Sequence, residues 1–235
     1  MIPARLESTR LPRKVLRPIA GAPLIAWVYR AAKASALLDD VIIATDSKEV
    51  MTLAHDHGWS TMMTSPDCAS GSDRVYEVSQ RVEADIYVNI QGDEPLLRVE
   101  HIEALLRPFA RDEVVVSTLA TPCPAEEIHN PNVVKVVAAC DGRALYFSRS
   151  AIPFNRDQIA NLEYQKHLGF YAYRRQALQR FAILAPSPLE QAERLEQLRF
   201  LENGIPVFVE PTPYDTIGVD TEDDLRAVEL LLRQR

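Results

Sequence analysis

The hydrophobic pattern between residues 41 and 120 alternates short apolar runs with longer amphipathic ones. The runs at 41–44 and 86–90 are short and almost uniformly apolar, which is typical of buried parallel strands. Helical periodicity is found at 47–57, 70–82 and 99–107. Weaker strand patterns lie between these helical segments and after the last of them. The alternation predicts βαβ units with right-handed crossovers.

The pattern changes after residue 130. Two β-rich runs flank an Asp141-Gly142 turn, which predicts a hairpin. Further on, the pattern predicts a strand at 167–173, one long helix at 189–203 and a C-terminal helix that starts with a Thr221–Asp224 capping box. The predicted fold class is α/β: a doubly wound, mostly parallel sheet with an inserted mixed α+β subregion at about 122–205. We expect residues 1–235 to form a single domain.

The first strand of this sheet is nearly missing from the sequence. Only Met1 and Ile2 precede the first loop. Because loss of a central strand would expose the hydrogen-bonding edge of its neighbour, we expect the true start to lie upstream.

The amino-acid composition argues against several classes of protein. The 235 residues include 26 basic and 33 acidic side chains, and the net charge of −7 disfavours a general nucleic-acid binder. No apolar run approaches the roughly 18 residues of a membrane span. Three widely separated cysteines without a C-x-x-C pair are typical of idle thiols in a reducing compartment, so we expect a cytoplasmic protein.

The basic residues are concentrated near the N-terminus. Five of them and a single acid lie between residues 5 and 17, which favours a small anionic ligand over a polyanion. The segment is neither a Walker loop nor G-x-G-x-x-G. Arg5, Arg10 and Lys14 could surround a triphosphate, since arginine forks around phosphate and lysine acts as a point charge. A solvated basic loop is the alternative.

Two acidic residues are candidates for binding a metal ion. Asp93 follows the predicted strand 86–90, and Gly92 would let the backbone approach closely there. Asp220 stands at the entry to the capped C-terminal helix. Mg²⁺ typically takes one or two carboxylates and completes its shell with water and phosphate oxygens. The alternative is an ordinary turn and an acid favoured by a helix N-terminus.

Seven motifs together resemble one enzyme family. In chain order they are P-A-R-x-x-S-T-R-L-P-x-K at 3–14, N-x-Q-G-D-E-P at 89–95, N-P-N-V-V-K-V-V at 130–137, Y-F-S-R-S-x-I-P at 146–153, H-L-G-F-Y-A-Y-R at 167–174, L-E-Q-L-R at 195–199 and G-V-D-T at 218–221. These blocks are similar to the 3-deoxy-manno-octulosonate cytidylyltransferases, and the similarity covers essentially the whole chain.

The resemblance implies a Rossmann-like fold of the nucleotide-diphospho-sugar transferase type. It also implies a homodimer that uses Mg²⁺ to make CMP-KDO and pyrophosphate from CTP and 3-deoxy-D-manno-octulosonate (KDO) for lipopolysaccharide synthesis. The residues that it implies are, for catalysis, Lys14, Arg10, Asp93 and Asp220; for the nucleotide, Arg5, Arg10, Lys14, Ser70 and Gln91; for the metal, Asp93 and Asp220; and for the sugar acid, Gln91, Arg149, His167, Tyr171, Glu196 and Gln197.

Two positions depart from the family pattern. Arg13 stands where the family usually has glycine, and the segment 156–166 is short relative to many members. Two alternatives therefore stay open. One is a cytidylyltransferase for a related sugar acid, such as 8-amino-KDO or a sialic acid, and the other is a catalytically silent nucleotide-binding module.

Overall fold

The structure is a computed structural model that describes residues 1–6 and 11–234. The strands are β1 (Ile2–Pro3), β2 (Pro18–Ile19), β3 (Ala22–Pro23), β4 (Ile43–Thr45), β5 (Thr61–Met63), β6 (Ile86–Asn89), β7 (Val116–Pro122), β8 (Lys135–Ala138), β9 (Ala144–Ser148), β10 (Gln165–Arg174) and β11 (Phe208–Pro211). The α-helices are α1 (Leu24–Lys33), α2 (Lys48–Asp56), α3 (Gly71–Ser79), α4 (Val99–Leu106), α5 (Arg175–Ala182), α6 (Pro188–Glu193), α7 (Leu198–Glu202) and α8 (Glu222–Leu232).

The chain divides into two compact units. The first comprises Met1–Glu103 and Thr216–Arg235, and the second comprises Ala104–Asp215. The predicted mixed subregion at 122–205 falls within the second unit. None of the helices in the described part of the chain combines the length and the apolar character needed to cross a membrane.

The first unit is built on a parallel sheet. Strand β4 pairs in parallel with β1 on one side and with β5 on the other. The backbone of Met1 exchanges hydrogen bonds with Val88 and Ile90, at 2.6 and 3.0 Å, which places the end of β6 beside β1. The two-residue β1 therefore occupies a central position between β4 and β6.

Three helices of the first unit begin where the sequence pattern predicts a helix start. Ser47 caps α2, and Ser70 caps α3 in a capping box with Asp73. Thr221 caps α8 in a second box with Asp224. These side chains satisfy backbone N–H groups that have no partner inside the helix. The alternation of strands and helices confirms the α/β fold class, although helix α1 was not among the predicted elements.

The second unit carries a mixed sheet in the order β11-β7-β10-β8-β9. Strand β11 runs parallel to β7, whereas β10 is antiparallel to both β7 and β8. The predicted hairpin is β8-β9, and Gly142 in its turn has φ of +88°, a conformation that favours glycine. The sheet confirms a mixed arrangement in this part of the chain.

The prediction of one long helix at 189–203 is wrong. The chain forms α6, leaves helical geometry at Arg194 with φ of +54°, and resumes as α7 at Leu198. The N–H of Leu195 bonds to the carbonyl of Glu190 at 3.2 Å, which closes the last turn of α6. A hydrophobic period alone could not detect this break, because Leu195 and Leu198, which follow Arg194, are both buried and continue the apolar pattern.

Gly92 follows β6 at a point of close backbone approach. A Cβ atom at this residue would lie 2.8 Å from the carbonyl oxygen of Pro3 in β1. Real Cβ atoms are essentially never so close to a backbone oxygen, so only glycine fits here without a shift of the chain. The prediction that Gly92 allows a close approach is confirmed.

We expect Gly92→Ala to lower the free energy of unfolding by about 1–3 kcal/mol, because the new methyl group would force β1 and the turn after β6 apart. Urea denaturation measures the change. Gly169→Ala is the matched control, since a Cβ there meets nothing within 4 Å. Equal losses in the two variants would show that the contact with Pro3 is not what requires glycine.

Candidate active site

Three segments that are distant in sequence converge on Lys14 in the first unit. Lys14 begins a short 3-10 helix, Asp93 lies in the turn after β6, and Asp220 directly precedes the N-cap of α8. The ammonium group of Lys14 donates hydrogen bonds to Asp93 Oδ2 and, at 2.8 Å, to Asp220 Oδ1. The two carboxylates predicted to bind metal therefore lie within reach of one nitrogen atom.

The Lys14 ammonium is the most buried member of this cluster. Its side chain is 12% exposed, compared with 29% for Asp93 and 44% for Asp220. Burial lowers the pKa of Lys14, but the charges and hydrogen bonds of Asp93 and Asp220 together outweigh it and hold the pKa above its usual value. Lys14 is therefore a permanent cation at neutral pH.

Glu94 holds the turn that carries Asp93 close to the segment that carries Asp220. Its carboxylate accepts a hydrogen bond from the Thr216 hydroxyl at 2.5 Å, and Gly218 packs so closely that a Cβ would lie 3.1 Å from Glu94 Oε1. The N–H of Val219 also bonds to the Asp93 carbonyl at 2.9 Å. Glu94 was not among the predicted site residues, although it stands directly beside Asp93 in the sequence.

Arg13 adopts a left-handed conformation directly before Lys14. Its φ and ψ are 57° and 32°, a region that costs most L-residues about 1–2 kcal/mol and that glycine enters freely. This geometry explains why a glycine suits the position in the family pattern. The Arg13 guanidinium forms an ion pair with Glu49, and both side chains are largely exposed.

Two of the remaining residues predicted to bind the nucleotide, Ser70 and Gln91, lie at the start of α3. Ser70 caps α3 through its hydroxyl, which accepts from the Asp73 N–H at 3.2 Å. The Gln91 amide lies against the same helix start, because a Cβ at Gly71 would be 3.4 Å from Gln91 Nε2. Arg5 is exposed just after β1. Arg10 lies outside the described residues.

In the second unit, Arg149 is held by backbone carbonyls. Its Nε–H donates to the Glu193 carbonyl at 2.7 Å, and an Nη1–H donates to the Pro131 carbonyl at 2.8 Å. The Glu193 carboxylate in turn accepts from the Arg149 N–H at 3.0 Å and from the Ser148 hydroxyl at 2.6 Å. The end of α6 and the 131 loop thereby orient the guanidinium.

Lys135 supports Arg149 from inside the unit. Its fully buried ammonium donates to the carbonyls of Asn130, Val133 and Arg149 at 2.7–2.9 Å. Burial lowers the pKa of Lys135. The charges of Lys135, Arg149 and Glu193 sum to +1, so this cluster suits an anionic ligand. Lys135 was not among the predicted site residues, although a lysine inside an apolar strand was a visible signal.

A bulge in β10 brings His167 and Tyr171 together. His167 lies opposite Ala120 of β7 and Tyr171 lies opposite Thr118, so four steps along β10 advance only two along β7. That advance is about 7 Å instead of the roughly 13 Å of a regular strand. His167 Nε2 lies 2.9 Å from the Tyr171 hydroxyl.

A column of aromatic rings holds these two side chains in place. Phe147 meets His167 edge-on at 5.0 Å, and Tyr171 stacks on Tyr173 at 5.8 Å. Burial lowers the pKa of His167 to about 3. Burial also raises the pKa of Tyr171 well above its usual value. Both side chains are therefore neutral at physiological pH.

Glu196 and Gln197 lie in the break between α6 and α7. The negative charge of Glu196 contributes to the raised pKa of Tyr171, after burial and Tyr173, so the two side chains are close enough to interact. Gln197 is buried, and its Nε2 has no hydrogen-bond partner among the described residues. A buried donor of this kind can bind a polar ligand.

The donor set of the Lys14 cluster fits Mg²⁺ better than a metal that needs nitrogen or sulfur ligands. Asp93 and Asp220 supply hard oxygen donors that converge on one point. Within residues 1–6 and 11–234, no group of three or more His, Cys, Asp or Glu side chains could hold a metal by itself. Two carboxylates are what Mg²⁺ typically takes when phosphate oxygens complete its shell.

The chain is similar to known cytidylyltransferases over its whole length. A family model described as cytidylyltransferase matches residues 1–210. Proteins of Acidobacterium capsulatum and Koribacter versatilis, both named 3-deoxy-manno-octulosonate cytidylyltransferase, are 62% and 57% identical; each alignment covers all of this chain and 96% or 90% of the relative.

A solved structure titled as CMP:2-keto-3-deoxy-manno-octonic acid synthetase complexed with CTP superposes with a TM-score of 0.95 at 43% identity. The match covers 99% of this chain and 97% of that one. The resemblance first seen in seven motifs thus extends over the full length in both sequence and structure. The chain belongs to the 3-deoxy-manno-octulosonate cytidylyltransferase family.

Proposed function

We propose that this protein is a CTP-dependent cytidylyltransferase that activates KDO, giving CMP-KDO and pyrophosphate. The observation that carries the proposal is the convergence of Lys14, Asp93 and Asp220, because phosphoryl transfer needs a cation and a metal-binding pair of acids at one point. The full-length identity of 62% to a relative of that name supports KDO as the sugar acid.

Mg²⁺ is part of the proposal, with Asp93 and Asp220 as its protein ligands. When bound, it would supply charge neutralisation on the phosphate oxygens and lower the pKa of the attacking hydroxyl. Lys14 provides a fixed positive charge beside the same carboxylates. Little covalent chemistry is asked of the chain, whose residues contribute positioning and electrostatic stabilisation.

In the proposed reaction, the anomeric hydroxyl of the sugar acid attacks the α-phosphorus of CTP in line. A P–O bond forms to the sugar oxygen, the hydroxyl proton is released to solvent, the bond from the α-phosphorus to the bridging oxygen breaks, and pyrophosphate leaves with the electron pair. Arg149 is suited to the sugar carboxylate, because its planar fork matches a carboxylate and the carbonyls of Pro131 and Glu193 fix its orientation.

His167 is not suited to remove the proton from the attacking hydroxyl. Its pKa of about 3 makes it a weak base at neutral pH, and Nε2 is engaged with neighbouring hydroxyls. We assign it a binding role, in which the neutral ring orients the sugar acid next to Tyr171.

A pyrophosphate-release assay tests the proposed function directly. CTP and Mg²⁺ are supplied with KDO, 8-amino-KDO or a sialic acid, and the expected result is turnover with KDO at a kcat/KM well above that of the other two. Turnover with a different sugar acid would change the substrate, and CTP binding without turnover would indicate a silent nucleotide-binding module.

We further propose a homodimer whose product enters lipopolysaccharide synthesis. The second unit exposes large apolar side chains, with Phe154 at 87% and Ile159 at 61% exposure. Both residues lie within the segment 154–159, and the family pattern points to a second copy of the chain as the partner of this segment.

We expect Asp93→Asn to reduce kcat by about 100-fold or more, the scale of losing one key electrostatic group. Asp223→Asn is the matched control, since Asp223 lies on the nearby α8 but is 93% exposed. Steady-state pyrophosphate release measures both variants. Near-wild-type turnover of Asp93→Asn would remove this residue from the metal site.

We expect Arg149→Lys to raise the KM for KDO about tenfold or more while the KM for CTP stays unchanged, because lysine cannot reproduce the two-pronged contact with a carboxylate. Arg143→Lys, in the same hairpin but paired with Asp141 at the surface, is the control. An unchanged KM for KDO, measured at saturating CTP, would exclude Arg149 as the carboxylate-binding residue.

A further inference from the structure

Thr118, which was not among the predicted site residues, lies at the centre of a hydrogen-bond cluster. It is fully buried on β7, opposite the bulge of β10. Its Oγ1 lies 2.8 Å from the Phe170 carbonyl, 3.2 Å from the Leu168 carbonyl and 3.0 Å from His167 Nε2. One hydroxyl group therefore faces two carbonyl oxygens and one ring nitrogen, and it also hydrogen-bonds with the Tyr171 side chain.

The protons in this cluster can be counted. The contact with the Phe170 carbonyl is the shortest of the three at 2.8 Å, and a carbonyl oxygen can only accept, so we assign the single hydroxyl proton of Thr118 to this oxygen. The Thr118 oxygen can then only accept from His167 Nε2. If Nε2 carried no proton, two lone pairs would face each other at 3.0 Å.

Tyr171 is consistent with the same assignment. Its hydroxyl lies 2.9 Å from His167 Nε2, so a proton on Nε2 can be shared between the oxygens of Thr118 and Tyr171. The alternative, in which Tyr171 donates to an unprotonated Nε2, satisfies this contact but leaves the Thr118 contact without a proton. Because the ring is neutral at physiological pH, a proton on Nε2 means that Nδ1 carries a lone pair.

We propose that Thr118 is a positioning residue that holds His167 in the Nε2–H tautomer, so that Nδ1 presents an acceptor for a hydroxyl group of the sugar acid. Nδ1 has no hydrogen-bond partner within the described part of the chain, whereas Nε2 has two. The inference deepens the proposed function and rests on it for the identity of the ligand. The tautomer itself does not depend on any activity.

The bulge gives this arrangement its geometry. Gly169 and Phe170 are the residues of β10 that have no counterpart on β7. Thr118 bonds to carbonyls inside the bulge and to the histidine before it, so the same hydroxyl both stabilises the irregular backbone and selects the tautomer. A β-branched residue without a hydroxyl would fill the space but lose both effects.

The tautomer can be read by two-bond ¹H–¹⁵N correlation spectra of protein labelled with ¹⁵N-histidine, recorded at pH 7 without substrates. The chain has 5 histidines, and His167→Gln assigns the signal. We expect the Nε2–H form in the wild type and in Thr118→Ser, and a shift toward the Nδ1–H form in Thr118→Val, where Tyr171 becomes free to donate to Nε2. An Nδ1–H wild type, or an unchanged tautomer in Thr118→Val, would overturn the inference.

Steady-state kinetics test whether the tautomer of His167 affects binding of the sugar acid. We expect Thr118→Val to raise the KM for KDO about fivefold, the scale of one hydrogen bond, with the KM for CTP unchanged and with recovery in Thr118→Ser. Ser117→Ala is the matched control, because Ser117 is equally buried on β7 and donates to the Leu105 carbonyl at 2.6 Å without contacting His167. An equal rise in both variants would reduce Thr118 to a structural role and overturn the proposal.

Tyr171→Phe provides a second test if Thr118→Val does not fold. This variant keeps the Thr118 hydroxyl, so we expect His167 to remain in the Nε2–H form. A change to Nδ1–H would show that Tyr171 sets the tautomer, against the proposal. If no sugar acid supports turnover, the proposed function fails, while the spectra still decide the tautomer.

Discussion

The contact of Lys14 with Asp93 and Asp220 is the interaction on which the first unit depends for its chemistry. It joins the loop after β1, the turn after β6 and the entry to α8, three segments that no local interaction brings together. Two carboxylates at one point would repel each other without a cation between them. Lys14 reduces that repulsion and holds both acids at one point.

The second unit holds its cations in a different way. Arg149 and Lys135 bond mainly to backbone carbonyls, which orient a positive charge without cancelling it. Carboxylate partners, as at Lys14, neutralise the charge that they hold. The two units therefore offer different electrostatic environments: a net charge of −1 at Lys14, Asp93 and Asp220 in the first unit, and a net charge of +1 at Lys135, Arg149 and Glu193 in the second.

Several irregular features turn out to be the ones that build the sites. Arg13 is left-handed directly before Lys14, Arg194 is left-handed where α6 ends, and β10 bulges between His167 and Tyr171. Each local departure from regular geometry redirects a chain segment that carries a predicted ligand-binding residue. Gly92 belongs to the same group, because its missing side chain lets the turn that carries Asp93 lie against β1.

The sequence by itself determined the alternation of strands and helices, the capping box at Thr221 and the family, because these depend on residues close together in the chain. The break at Arg194 and the roles of Glu94, Thr118 and Lys135 were decided only by the tertiary structure. Lys135 contacts the Arg149 carbonyl 14 residues away, Thr118 contacts the Phe170 carbonyl 52 residues away, and Glu94 contacts the Thr216 hydroxyl 122 residues away. Hydrophobic periodicity reports which face of an element is buried, but it carries no information about which distant carbonyl, carboxylate or ring nitrogen a polar side chain will meet.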